Sequence, residues 1–238
     1  MEAAERRMKT IGIIGGTGPE STIDYYRLII ASYRERVPDG SYPAILINSI
    51  DLKKALDLLA ANDLAGLAEL IVREVQTLAR AGAELGLLAA NTPHIVFDEV
   101  ARQSPIPLVS IVEATCAEAQ ALGLKRLGLF GTRFTMQGRF YPDVFSREGI
   151  TLVTPDPDEQ AYIHEKYMSE LVPGIFLPET CEGLLAIIER MRKREAIEGV
   201  ILAGTELPLI LREATTGGIP FLDTARIHVK AIVEQAFS

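Results

Sequence analysis

The chain has 238 residues and a formal net charge of −8, long enough for one large α/β domain or two smaller lobes with cores of their own. The acidic balance, with no basic run longer than the interrupted one at Arg190 to Arg194, argues against a nucleic-acid partner. No apolar run is long enough to cross a bilayer and the N-terminus lacks the apolar core of a signal peptide, so a cytoplasmic protein is expected, its residues 1–7 a disordered extension.

The elements alternate. A short apolar strand over Thr10 to Ile14 ends in glycines, and helical periodicity follows from Ser21 to Arg36. Ala44 to Asn48 reads as a second buried strand. Asp63 to Ala81 is an amphipathic helix with Asn62-Asp63 as its cap and Gly82 as its stop. Leu85 to Ala89 is a strand, Ile95 to Arg102 a short helix, and Leu108 to Ile111 a short strand leading into a helix that ends at Leu122. The rhythm then restarts, with strands over Arg126 to Phe130, Thr151 to Val153, Gly199 to Leu202 and Ile219 to Leu222. Helices are expected over Thr135 to Glu148, Asp158 to Leu171, Glu179 to Arg194, onward from Glu206 to about Arg212, and Thr224 to Phe237. Apolar strands alternating with helices imply parallel sheets covered on both faces. The expected division is 8–110 plus 219–238 for one α/β lobe and 111–218 for the other.

In such sheets ligands bind at the carboxyl ends of the strands. Four strand ends here carry small or hydroxyl residues: Gly15 to Gly18, Asn91-Thr92, Gly131-Thr132 and Gly204-Thr205-Glu206. These free backbone N–H groups for an anion, and equally they are ordinary turn and cap residues. The expected contacts to a small carboxylate or amino acid are Gly16, Thr17, Gly18, Asn48, Ser49, Asn91, Thr92, Thr132, Thr135, Thr205 and Glu206. Lys166 is a candidate charged anchor, beside Lys53, Lys54 and Arg133. Cys116 and Cys181 form no CxxC pair, and the three histidines, His94, His164 and His228, are far apart, so no metal site is expected.

These same segments resemble, in order and over nearly the whole chain, the cofactor-independent aspartate/glutamate racemase family. Gly12 to Thr22 is similar to its Gly-Gly-Met-Gly-Pro opening, Asn91-Thr92-Pro93-His94 to its Cys-Asn-Thr-x-His motif, Gly131 to Met136 with Phe140-Tyr141 to its middle segment, Gly204-Thr205-Glu206 to its Cys-Thr-Glu motif, and Ile219 to Asp223 to its closing strand. The resemblance implies two pseudo-symmetric lobes with a ligand cleft between them, no cofactor and no metal, and a homodimer. It also implies two thiols that take and return the substrate Cα proton on opposite faces.

The chain departs from that pattern where the chemistry sits. Ala90 and Gly204 occupy the two cysteine positions, and neither side chain carries a proton. The titratable residues left near the motifs are His94, which the motif shares, and the cluster His164, Glu165 and Lys166. Loss of both acid/base groups should cost more than the roughly 10²–10⁴-fold of one such group. Three readings stay open: a racemase with another base, a carboxylate-binding protein without turnover, and a different reaction on the same scaffold. A dinucleotide site fits poorly, because Gly15-Gly16-Thr17-Gly18-Pro19 lacks the G-x-G-x-x-G spacing and Asn48-Ser49, not an acid, ends the second strand.

Overall fold

A computed structural model describes residues 7–211 and 218–238. The expected N-terminal extension lies outside the described residues except for Arg7, which pairs with Glu84 at 2.6 Å. The end expected for the helix near Arg212 also lies outside them. No helix among the described residues is long and apolar enough to cross a membrane.

The chain divides into two units, one of residues 1–89, 96–110 and 228–238, the other of residues 90–95 and 111–227. The first is built on β1 (Ile11–Gly15), β2 (Ile45–Ser49), β3 (Leu85–Leu88) and β4 (Leu108–Val109), all parallel, in the order β2-β1-β3-β4. Every residue of β1 and β3 is buried, as expected of central strands covered on both faces, whereas the edge strand β2 is only partly covered. Helices α1 (Pro19–Arg36), α2 (Leu52–Ala60), α3 (Leu64–Arg80) and α4 (Phe97–Gln103) complete its sequence-local elements. In α3 the buried Leu67, Ile71, Val75 and Leu78 fall on one face, and the Asp63 carboxylate caps the first turn by accepting the Gly66 N–H at 2.8 Å. Helix α2 was not expected. Asp51 caps it by accepting the Lys53 N–H at 2.9 Å, and Ala55 and Leu59 bury its narrow apolar stripe.

The second unit repeats the topology. It contains α5 (Ile111–Ala121), β5 (Arg126–Gly131), α6 (Arg133–Gln137), α7 (Phe140–Arg147), β6 (Thr151–Val153), α8 (Pro157–Lys166), α9 (Pro178–Glu195), β7 (Gly199–Ala203), α10 (Leu207–Leu211) and β8 (Phe221–Asp223). Its parallel sheet runs β6-β5-β7-β8. Side chains alternate across the sheet with period two. Val200 and Leu202 of β7 join Phe130, Met136, Ile163, Tyr167 and Leu184 in one core cluster, while Ile201 and Ala203 join Leu127, Leu129, Tyr141 and Phe145 in another.

Three expectations need correction. The helix expected from Thr135 to Glu148 is two, because Gly138 is extended (φ −74°, ψ 157°) and a side chain there would meet the Phe134 carbonyl and the Phe140 ring. The helix expected to end at Leu171 changes character after Lys166, where Tyr167–Leu171 form a π turn closed by Val172 N–H to Tyr167 O at 2.9 Å. The boundary expected at 219 also shifts. Strand β8 pairs with β7, so of the closing helix α11 (Thr224–Ala236) only the part from His228 onward groups with the first unit, and Ala90 to Ile95 group with the second.

Candidate functional site

In the first unit the turn after β1 is shaped by Thr22, whose hydroxyl accepts the Gly16 N–H at 2.9 Å and donates to Gly18 O at 3.1 Å. Gly16 sits at φ +84°, and a Cβ there would run into the Ile50 carbonyl oxygen and lie 2.6 Å from Ile50 N and 2.7 Å from Ser49 Oγ. Both the left-handed conformation and the close approach demand glycine. Gly16→Ala is therefore expected to cost about 3 kcal/mol of stability, read from the urea midpoint at unchanged slope. Thr17 is half-buried at this turn. Asn48 donates its amide to Glu74 Oε2 at 2.8 Å, which ties it to α3, and Ser49 lines a surface depression with Lys54, Arg73 and Glu74. Lys53 is exposed and pairs with Asp57 on α2.

The second unit gathers more of the expected residues. The hydroxyls of Thr92, Thr132 and Thr135 form a triangle, with Thr92 to Thr132 at 2.9 Å and the other two edges at 3.3 Å. Thr132 also caps α6 by accepting the Thr135 N–H. Thr135 is fully buried, so Thr92, the half-buried corner, and Thr132 are the hydroxyls that can turn a proton toward a carboxylate. Unactivated hydroxyls are poor bases for a carbon acid.

Asn91, 2% exposed, is held on both sides. Its Oδ1 accepts the Tyr141 hydroxyl at 2.6 Å, and its Nδ2 donates to Thr224 Oγ1 at 3.1 Å, which in turn donates to Leu202 O at 2.8 Å. These contacts fix the amide and position the loop that carries Thr92. His94 is buried with both ring nitrogens engaged. Nε2 accepts the Ile111 N–H at 3.2 Å, so Nδ1 carries the proton and donates to Ala90 O at 2.9 Å. His94 thus ties the loop at Ala90 to the first residue of α5.

His164 is half-buried, and its Nδ1 accepts the Arg133 N–H at 3.3 Å. Burial, and then the Arg133 charge, hold its imidazole below the ordinary range. Lys166 Nζ donates to Glu170 Oε1 at 2.5 Å and lies over the Tyr162 ring. That bond raises its ammonium above the usual value, so it stays charged but is occupied within its own helix turn.

At the end of β7, the Thr205 hydroxyl donates to Glu206 Oε2 at 3.1 Å, and the Tyr167 hydroxyl donates to the same oxygen. All three residues are buried. Burial, followed by the Glu206 charge, pushes the Tyr167 phenol well above its ordinary value, so it is a donor throughout the neutral range. Tyr167, Tyr141 and Thr224 were not among the residues expected at the site. Phe140-Tyr141 lies within a motif segment, but nothing in the sequence marks Tyr167, which reads as one more position on a helix. Among the described residues no group of three His, Cys, Asp or Glu is placed to hold a metal ion.

The sequence pattern of the Asp/Glu/Hydantoin racemase family matches residues 14–232 of this chain. A Pyrococcus horikoshii structure, an aspartate racemase homologue, is 37% identical with a TM-score of 0.82, covering 97% of this chain and all of its own. A Yersinia pestis structure assigned to the Asp/Glu racemases is 30% identical with a TM-score of 0.87 over the same share of each chain. The broad specificity amino-acid racemase RacX of Bacillus subtilis is 25% identical over 229 residues, 94% of this chain and 96% of its own.

Proposed function

The chain belongs to the Asp/Glu/hydantoin racemase family, and from that premise we propose that it binds a small amino acid or related carboxylate at the strand ends of its second unit and does not perform two-thiol racemisation. The observation that carries the binding half is the triangle of Thr92, Thr132 and Thr135 hydroxyls at the ends of two motif segments. The relatives support the ligand class, since one is a broad specificity amino-acid racemase and another an aspartate racemase homologue.

The catalytic half rests on Ala90 and Gly204, which stand where the family motifs carry cysteine. The cysteines present do not replace them. Cys116 lies on the buried face of α5, and burial pushes its thiol up to about 11, with Glu148 and Glu113 adding to the effect. Cys181 donates to Ile210 O at 3.4 Å and is also raised by burial. A thiol held protonated in this way is neither a base nor a nucleophile at neutral pH.

The binding half is tested by ligand-observed NMR with L- and D-aspartate and L- and D-glutamate. Saturable line broadening is expected with the unaltered protein. Thr132→Val, which removes one corner of the triangle and the cap of α6, is expected to weaken it about 10-fold, the loss of roughly one hydrogen bond to a charged group. Equal broadening with and without Thr132 would place the ligand elsewhere.

A further inference from the structure

We propose that Tyr167 decides what the β7 strand end presents to a ligand: its phenol ring fills the volume that a side chain at position 204 would occupy, so the second acid/base position is closed by a residue from the π turn as well as emptied by glycine. The proposal rests on the reading that residue 204 stands at a family acid/base position.

The geometry follows from the alternation of β7. Val200 and Leu202 face the core cluster that contains Tyr167, and position 204 continues that face. A Cβ built on Gly204 would lie 2.5 Å from Tyr167 Cε2 and 3.0 Å from both Cζ and the hydroxyl oxygen. The first separation is shorter than carbon atoms tolerate, the other two are tight, and the ring cannot simply swing away. It is 5% exposed. Its hydroxyl is bound to Glu206, and its backbone carbonyl accepts the Val172 N–H that closes the π turn. Gly204 is also absent from the glycines with positive φ, so its backbone conformation does not require glycine. The neighbouring ring does. Tyr167 and Gly204 are therefore a complementary large–small pair, and single π turns within helices occur frequently at functional sites. The group left at this strand end is a protonated phenol whose one proton is given to Glu206, so it does not remove a proton from carbon.

Two readouts test this. The first is a thermal double-mutant cycle over Gly204→Cys and Tyr167→Ala. Gly204→Cys alone is expected to lower the unfolding midpoint by at least about 5 °C, and the combined variant to lose clearly less than the two single losses together, because the new side chain enters the space the ring has left. Additive losses would overturn the proposal. Should Gly204→Cys not fold, Gly204→Ala is read in the same way. The second readout is exchange of the aspartate and glutamate Cα proton in deuterium oxide. Ala90→Cys with Gly204→Cys is expected to show no exchange above the unaltered protein, and adding Tyr167→Ala to raise it at least about 10-fold. Equal exchange in the double and triple variants, above that of the unaltered protein, would overturn the proposal. If neither variant exchanges, the thermal cycle alone decides on Tyr167, and the missing exchange counts against the reading of residue 204.

Discussion

Asn91→Ala is expected to destabilise the protein by about 3 kcal/mol, as an equilibrium urea titration will show in its midpoint. The side chain is buried, accepts from Tyr141 and donates to Thr224, both of them buried as well. Its removal leaves a small cavity and deprives two buried hydroxyls of a partner, each loss worth about 1–3 kcal/mol. Thr224 retains Leu202 O as its acceptor, so the larger share falls on Tyr141. Tyr141→Phe alone is expected to cost about 1–2 kcal/mol. The pair of changes should fall short of additive, since both remove one bond. Full additivity would show that the two side chains do not act as a unit. Because Asn91 is consumed by this network, its contribution to a site is the placement of Thr92 beside Thr132 and Thr135, not a hydrogen bond of its own.

The second large effect is a fall in stability on mild acidification, traced to His228. This ring is fully buried in the first unit, where its Nδ1 lies 2.9 Å from the Tyr25 hydroxyl and its Nε2 2.9 Å from Val109 O. A carbonyl only accepts, so Nε2 carries the proton and Nδ1 accepts from Tyr25 in a neutral imidazole. Burial lowers its pKa from 6.5 to about 4, the Val109 carbonyl opposing part of that drop. A group depressed on folding contributes stability that is fully present above its unfolded pKa and is lost as pH falls through its folded pKa. The window is therefore pH 6.5 down to about 4, and the loss across it is on the order of 3 kcal/mol. His228→Gln is expected to start from a less stable protein and to show a correspondingly flatter slope in that window. An unchanged slope would assign the acid sensitivity to other groups.

The parts of the fold that were legible in the sequence are those with one dominant signal. Helix α3 announces itself through four apolar positions on one face, an acidic cap and a glycine stop. Strands β1, β3 and β7 do so through short runs of buried apolar residues that end in small ones. The parallel direction of the strands follows from strand–helix alternation, and the racemase-family match bears out the resemblance carried by the ordered motifs. What was illegible depends on partners distant in the chain or on one residue's backbone angles. Helix α2 was not expected although Leu52, Ala55, Leu56 and Leu59 recur at helical spacing; its nine residues give only two turns of pattern. The break at Gly138 is a ψ value, not a composition. The boundary between the units was missed because Ile219 to Asp223 gains its place from hydrogen bonds to β7, which no local pattern displays.

The same division runs through the site. The hydroxyl residues Thr92, Thr132 and Thr135 were expected from their places at strand ends, and the structure brings all three within hydrogen-bonding distance. Asn48 was expected for the same reason, yet its amide is held by Glu74. His94 carries a residue type suited to proton transfer but spends both nitrogens on backbone groups. The sequence position of a titratable residue does not report how many of its polar atoms are already engaged. Tyr167 is the reverse case, an ordinary helix residue in the sequence that becomes central only when β7 sets position 204 against its ring.

The central claim is that this family member holds a carboxylate and, without the two thiols, does not exchange its Cα proton. Its most direct test is proton NMR of L- and D-aspartate and of L- and D-glutamate in deuterium oxide with the unaltered protein. The predicted result is a Cα–H signal that broadens on binding and keeps its full intensity over hours. Loss of that signal to solvent deuterium would contradict the claim and would require a base other than a thiol at this strand end.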